Sequence, residues 1–279
     1  MSEFDKCKYD LKLTLVGFLV ALFSAGIGIG GGILLVSILI SVFRFDFKKA
    51  ASTSLATIIP ISFVGSVSYF VFLPEIPHLQ YYFTFIPACV FGTILGIGIV
   101  RNHPNWWFKS LFSFFLIIIS MSMLRIFDFP ALIYRALDSI LYSNEWLLIV
   151  PVGIFIGIIA VALGIGCGLL IVPFYVIVIN LNIHEAIALS LATMFFLTLS
   201  ATMMNNRFKM LDTNLLKTLL IPALSGAIIG AIISGHLPAQ FLKIIFGILL
   251  FIIALYYIIQ EISIHFKPAV FVNKFLGKY

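Results

Sequence analysis

Residues 26–36 read GIGIGGGILLV, and residues 162–172 read ALGIGCGLLIV. The two stretches are related by an offset of 136 positions, and the match spreads outward from them. Gly17–Thr57 laid on Gly153–Thr193 gives thirteen identities in 41 positions, among them Gly28, Ile29, Gly30 and Gly32. A second signature recurs at the same offset, Ser54-Leu55-Ala56-Thr57 over Ser190-Leu191-Ala192-Thr193. With a small slip, Ile86-Pro87-Ala88 answers Ile221-Pro222-Ala223, and the Gly92/Gly96 pair answers Gly226/Gly230. The chain is a duplication.

Composition decides the solvent. Of 279 residues, 62% are hydrophobic and 10% charged, against about 25% charged in an ordinary globular chain. A water-facing surface built from this sequence would be largely apolar and would aggregate. The class is therefore a polytopic membrane protein, which excludes nucleic-acid binders, secreted disulfide scaffolds and ordinary cytosolic enzymes. The net charge of +6 sits in short loops and tails, as the positive-inside rule requires. The three cysteines, Cys7, Cys89 and Cys167, have no metal-like spacing and imply no disulfide framework. Neither a cofactor nor a metal is expected.

A helix needs about 20 apolar residues to cross the hydrocarbon layer. Six segments qualify: Ala50–Phe72, Leu79–Val100, Trp107–Phe127, Glu185–Met204, Leu215–Ser234 and Phe241–Gln260. Two others, Leu11–Phe43 and Trp146–Ile179, are too long for one span and are cut midway by the glycine clusters. The basic loop Arg44–Lys49 and the N-terminal lysines belong in the cytoplasm, and the loop Leu73–His78, with Glu75 and no Lys or Arg, belongs outside. All loop charges agree if each cut stretch returns to the face it entered from. The expected fold is all-α, with two inverted-topology repeats, each a Gly-broken re-entrant helical hairpin plus three transmembrane helices. The first repeat covers residues 1–127, a connecting loop 128–145, the second repeat 146–260 and a cytoplasmic tail 261–279, with both termini cytoplasmic. The first apolar run is read as retained, not as a cleaved leader.

Unwound backbone in hydrocarbon leaves amides and carbonyls unsatisfied unless it lines protein or a wet cavity. Five glycines in seven residues, 26–32, weaken any helix. The helices restarting at Ile33 and Leu169 would aim free N–H groups and the positive end of the helix dipole at the gap. That is a site for a small anion. Its expected residues are Gly28, Gly30, Gly31 and Gly32 in the first copy, and Gly164, Gly166, Cys167 and Gly168 in the second. Ser54, Thr57, Ser190 and Thr193 join them, because each Ser–Thr pair, three apart, shares a helix face. A hydroxyl bonded back to its own helix is the competing account of these four. Cys167, standing where the first copy has Gly31, is either a thiol at the substrate or a small filler. The Gly92/Gly96 and Gly226/Gly230 pairs read as packing glycines. The match of Gly26-x-Gly28-x-x-Gly31 to a dinucleotide fingerprint lacks its strand and acidic partner and is accidental. No Asp or Glu sits centrally in a span, and no HExxH or GxSxG motif points to an enzyme.

GIGGGILLV, its second version GIGCGLLIVP, the two SLAT helices and the IPA-containing helices resemble the sulfite exporter TauE/SafE family over nearly the whole chain. The sequence departs from the family pattern at Ser37, where the motif usually continues into proline as at Pro173, and at Cys167. The resemblance implies a transporter of the cytoplasmic membrane for sulfur-containing anions such as sulfite or organosulfonates. The expected function is a secondary transporter of a small anion, a sulfur oxyanion or organosulfonate, working by alternating access between the repeats. Its partners are the substrate, the lipid bilayer and a coupling ion of unspecified identity, with no nucleic acid. An anion channel and a non-transporting transmembrane assembly protein are the alternatives.

Overall fold

In lipid, a long apolar run satisfies its backbone within itself only as a helix. The computed structural model describes residues 3–45, 47–72, 79–102, 105–124, 126, 146–163, 166–204 and 213–266. Among them the first copy forms α1 (Glu3–Ile27), α2 (Gly32–Ser41), α3 (Phe47–Phe72), α4 (Leu79–Asn102) and α5 (Asn105–Met123). The second forms α6 (Trp146–Leu163), α7 (Gly168–Pro173, continued by a π-helical turn Phe174–Val178), α8 (Ile183–Met204), α9 (Thr213–His236) and α10 (Ala239–Phe266). No strand occurs among the described residues. The chain is an all-α polytopic membrane protein.

Among the described residues, five helices carry stretches long and apolar enough to cross a membrane: Thr53–Phe72, Leu79–Gly96, Ile183–Met203, Leu215–His236 and Ala239–Tyr256. Their outer faces expose large apolar side chains such as Phe83, Ile221 and Ile252, which only lipid tolerates in such number. In the fifth helix of the first copy, the apolar part within reach of description is shorter, Phe112–Met123. At the C-terminal end the expected boundary at Gln260 falls inside a helix, because α10 runs on to Phe266. Helix formation does not need the chain to stay in lipid, so an apolar run ends before the helix does. The connecting segment 128–145 lies outside the described residues.

The glycine clusters do interrupt the helices. α1 ends at Ile27 and α2 starts at Gly32, while α6 ends at Leu163 and α7 starts at Gly168, each restart one residue earlier than expected. With ten residues, α2 is only about 15 Å long, half the hydrocarbon thickness. Gly31 lies against Val20 and Ser24 of α1, so the chain has already doubled back beside the helix it left. Backbone conformation repeats with the sequence. Gly30 and Gly166 have φ of 84° and 82°, Gly31 and Cys167 of 61° and 51°, and Arg44 and Asn180 of 56° and 60°. Every pair is separated by the same 136 positions.

The two copies interlock. α1 packs along α9, and its counterpart α6 packs along α4. α3 packs on its own counterpart α8, and α5 on its counterpart α10. The glycine pairs make the first two contacts close: a Cβ at Gly92 would strike the Ile154 carbonyl of α6, and one at Gly226 would strike the Phe18 carbonyl of α1. Gly96 sits against Ile158 in the same way that Gly230 sits against Leu22. Phe18 with Ile154, and Leu22 with Ile158, are again equivalents at 136. Exchanging the copies leaves these helix pairings unchanged. At the centre runs α8, whose membrane stretch is 72% buried against 33% for α9.

Candidate functional site

The two breaks meet. A Cβ on Gly168 would run into the Gly28 carbonyl and come within 2.9 Å of the Ile29 carbonyl carbon, so the helix restart of one copy lies directly on the unwound backbone of the other. Gly30 and Gly166 need glycine for a second reason, since their positive φ would cost a residue with a Cβ roughly 1–2 kcal/mol. Cys167 takes that cost and holds αL all the same. Its side chain is buried and its thiol free of disulfide.

α8 organises the junction through one stripe of its surface. Ile187, Ser190, Met194 and Thr198 follow at intervals of three, four and four residues, which keeps them on one face. A Cβ on Gly28 would lie 3.0 Å from Ile187 Cγ2, and one on Gly166 would lie 3.6 Å from Thr198 Cγ2. Ser190 Oγ donates to the Gly28 carbonyl at 2.9 Å, from one copy to the other. Ser54 Oγ, its equivalent on α3, donates to the Gly32 carbonyl at 3.3 Å. Tyr69 adds a third such bond, from its hydroxyl to the Gly26 carbonyl at 3.1 Å. The carbonyls of Gly26 and Gly28, at the end of α1 and in the break, thus receive side-chain donors, as buried backbone groups must, while Gly32, the first residue of α2, already offers its carbonyl to its own helix.

The threonines of the two signatures behave differently. Thr57 Oγ1 donates to Thr53 O at 2.8 Å and Thr193 Oγ1 to Leu189 O at 2.8 Å, each within its own helix. Their donor protons are engaged and their lone pairs remain. Two buried hydroxyls, one of them beside Gly31 of the first break, have no partner among the described residues. Ser24 Oγ, whose backbone carbonyl accepts from the amides of Gly28 and Ile29, and Thr53 Oγ1 are both buried without a hydrogen bond. Such a hydroxyl costs about 1–3 kcal/mol while unsatisfied, a burden that a protein keeps most readily where a ligand or water can relieve it.

Of the expected site residues, Gly28, Gly30, Gly31, Gly32, Gly166, Cys167, Gly168, Ser54 and Ser190 come together around the junction. Thr57 and Thr193 lie one turn away on the same helices, and Gly164 falls outside the described residues. Two participants had no sequence signal strong enough to nominate them, Tyr69 and Met194. The side chain of Met194, wholly buried, fills the space where Gly30, Gly166 and Gly168 face one another. A further feature lies on the opposite side of α8, a groove of about 420 Å³ lined by Phe63, Phe70, Tyr82, Ala192, Phe195 and Phe196, among others. It is almost wholly apolar. Glu185, at the start of α8, is buried and not surface-exposed.

The chain matches a family model described as "Sulfite exporter TauE/SafE" over residues 6–123 and 147–275. The first matched part falls within the expected first repeat, and the second starts one residue into the expected second repeat and runs past Gln260. No curated protein and no solved structure matches it significantly.

Proposed function

The chain belongs to the sulfite exporter TauE/SafE family, and from that premise we propose that it is a secondary transporter of a small anion, a sulfur oxyanion or an organosulfonate. Membership makes it a membrane transport protein; the substrate class, the mechanism and the placement in the cell membrane with cytoplasmic termini are our reading. The observation that carries it is the junction of the two breaks, one from each copy, buried where α8 crosses them both. At the start of α2 and of the continuous helical stretch from Gly168, the first amides have no partner within the helix. Together with the dipole they favour negative charge, and they do so without a Lys or Arg that would have to be buried. Three carbonyls at the junction, those of Gly32, Gly28 and Gly26, accept from Ser54, Ser190 and Tyr69, and the helix-start amides are the groups this reading assigns to the anion.

The exchange symmetry of the helix packing supports alternating access. If the copies run in opposite senses through the membrane, as the loop charges require, the fold can adopt two related states by trading the conformations of its halves. One opens to each side, with the site at the shared junction. The assembly-protein alternative is weakened by the glycine pairs, because Gly92, Gly96, Gly226 and Gly230 already face helices of this same chain.

Purified protein reconstituted in liposomes should move at least one member of a panel of sulfite, sulfate, thiosulfate, short alkanesulfonates and chloride. Transport should saturate and accelerate in counter-flow, which a channel would not do. Absence of flux for every anion, from protein that is folded and monodisperse, overturns the reading.

A further inference from the structure

We infer that Met194 is the gate of the transport path, a movable plug that must leave the junction before an anion can occupy it. The inference rests on the transporter reading above and names the residue on which that path closes. Three glycines from two copies point their missing side chains at the same two atoms. A Cβ on Gly30 would collide with Met194 Cε and lie 2.7 Å from Sδ. One on Gly166 would lie 2.8 Å from Cε, and one on Gly168 2.8 Å from Sδ. The thioether tip therefore fills the room that these glycines of the two copies create. It is fully buried there.

The chemistry suits a plug that moves. Methionine is unbranched, apolar and polarisable, adapts to irregular gaps and changes rotamer cheaply. A thioether is at most a weak acceptor, so its leaving breaks no strong hydrogen bond. The same position in the first copy, 136 residues earlier, is Ile58, also buried. Isoleucine is branched at Cβ and held stiffly in one helical rotamer. The duplicated frame thus carries a flexible side chain on one side only. The two backbones repeat each other closely through the breaks, in their positive φ values and in their restart positions, so this difference is not forced by local geometry.

Two arms test it. In the first, flux into liposomes is compared for wild type, Met194→Ala and Met194→Ile, each checked for unchanged thermal unfolding in detergent. Met194→Ala is expected to raise flux or leak by about tenfold and Met194→Ile to lower it by about tenfold, the effect of roughly 1.4 kcal/mol in a barrier. In the second arm Met194→Cys is exposed to a small anionic methanethiosulfonate, with the wild type and its native cysteines as background. The new thiol is expected to be modified and flux to stop. If the wild type transports while both variants match its rate and Cys at 194 resists the reagent, Met194 is static packing and the inference falls alone. If no anion moves in wild type and yet Cys at 194 is modified, the transporter reading falls and takes the gate with it, leaving only a junction that opens. No flux and no modification removes both.

Discussion

Glycine does two different jobs in this molecule, and one pair of regions displays them side by side. At Gly92 and Gly226 the backbone is helical and the missing side chain lets another helix approach. At Gly30 and Gly166 the backbone is left-handed and the missing side chain leaves room for the tip of Met194. What a Cβ would strike differs accordingly: the carbonyl of a neighbouring helix in the first case, the far end of a flexible side chain in the second. The first kind holds the interlocked copies together. The second kind sets the shape of the junction, and so a substitution there should injure transport more than it injures folding.

The strongest way to break that distinction is Gly92→Ala. The new Cβ meets the Ile154 carbonyl and lies 2.7 Å from the Ile154 Cα, and neither can give way unless α4 and α6 separate. Overpacking of this kind costs about 1–3 kcal/mol and occasionally more, and we expect the upper end. Gly226→Ala should cost the same, because the Phe18 carbonyl stands in the equivalent place. Thermal unfolding in detergent measures both. A melting temperature within about 2 °C of wild type for either variant would show the helices to be less tightly apposed than their geometry indicates.

These two roles were not equally legible in the sequence. The breaks could be read in advance because glycine density, the length of the apolar run and the repeat all speak at once at residues 26–32 and 164–168. The interlocking could not. That α1 lies on α9 and α6 on α4 depends on which faces meet in space, and an apolar helix in lipid shows no amphipathic stripe that names its partner. Ser54 and Ser190 were visible as polar residues recurring beside a break, but the acceptor of Ser190, the Gly28 carbonyl, exists as a free acceptor only once the backbone has unwound, and that of Ser54, the Gly32 carbonyl at the start of α2, is set by where the helix restarts. Met194 is the hardest case. A methionine in an apolar run carries no pattern, and its only trace is the contrast with Ile58 at the repeat offset.

The next test sharpens the comparison from the other side. Gly30→Ala and Gly166→Ala place a Cβ at φ of 84° and 82°, a strain of roughly 1–2 kcal/mol, and both also press on the Met194 methyl, Gly30→Ala the harder. Both proteins should insert and fold with a modestly lowered melting temperature, and both should lose flux. Adding Met194→Ala to Gly30→Ala should recover the part of the stability loss due to the collision and leave the part due to φ. Full recovery, or none, would show that only one of the two causes operates. A smaller effect is expected at Ser190→Ala. Removing its bond strands the buried Gly28 carbonyl and should cost about 1–2 kcal/mol. Ser54→Ala should cost less, since its bond to Gly32 is longer, at 3.3 Å against 2.9 Å.

The smallest effect on stability belongs to the threonines, and it decides whether their side chains belong with the junction at all. Thr193 donates to Leu189 O and Thr57 to Thr53 O, carbonyls that sit within continuous helix and so have backbone partners of their own. Replacing the hydroxyl by a methyl in Thr193→Val or Thr57→Val keeps the shape and should change stability by less than about 0.5 kcal/mol, the range of substitutions that leave no buried group stranded. A bound anion, however, could draw that proton away from the helix carbonyl, because a charge-assisted bond is roughly twice as strong as a neutral one. Thr193→Val should then raise KM for the anion severalfold with the melting curve unmoved, and Thr193→Ser should restore it. If neither KM nor melting changes at Thr193 or Thr57, the anion is held by backbone amides and the two hydroxyls serve only their own helices.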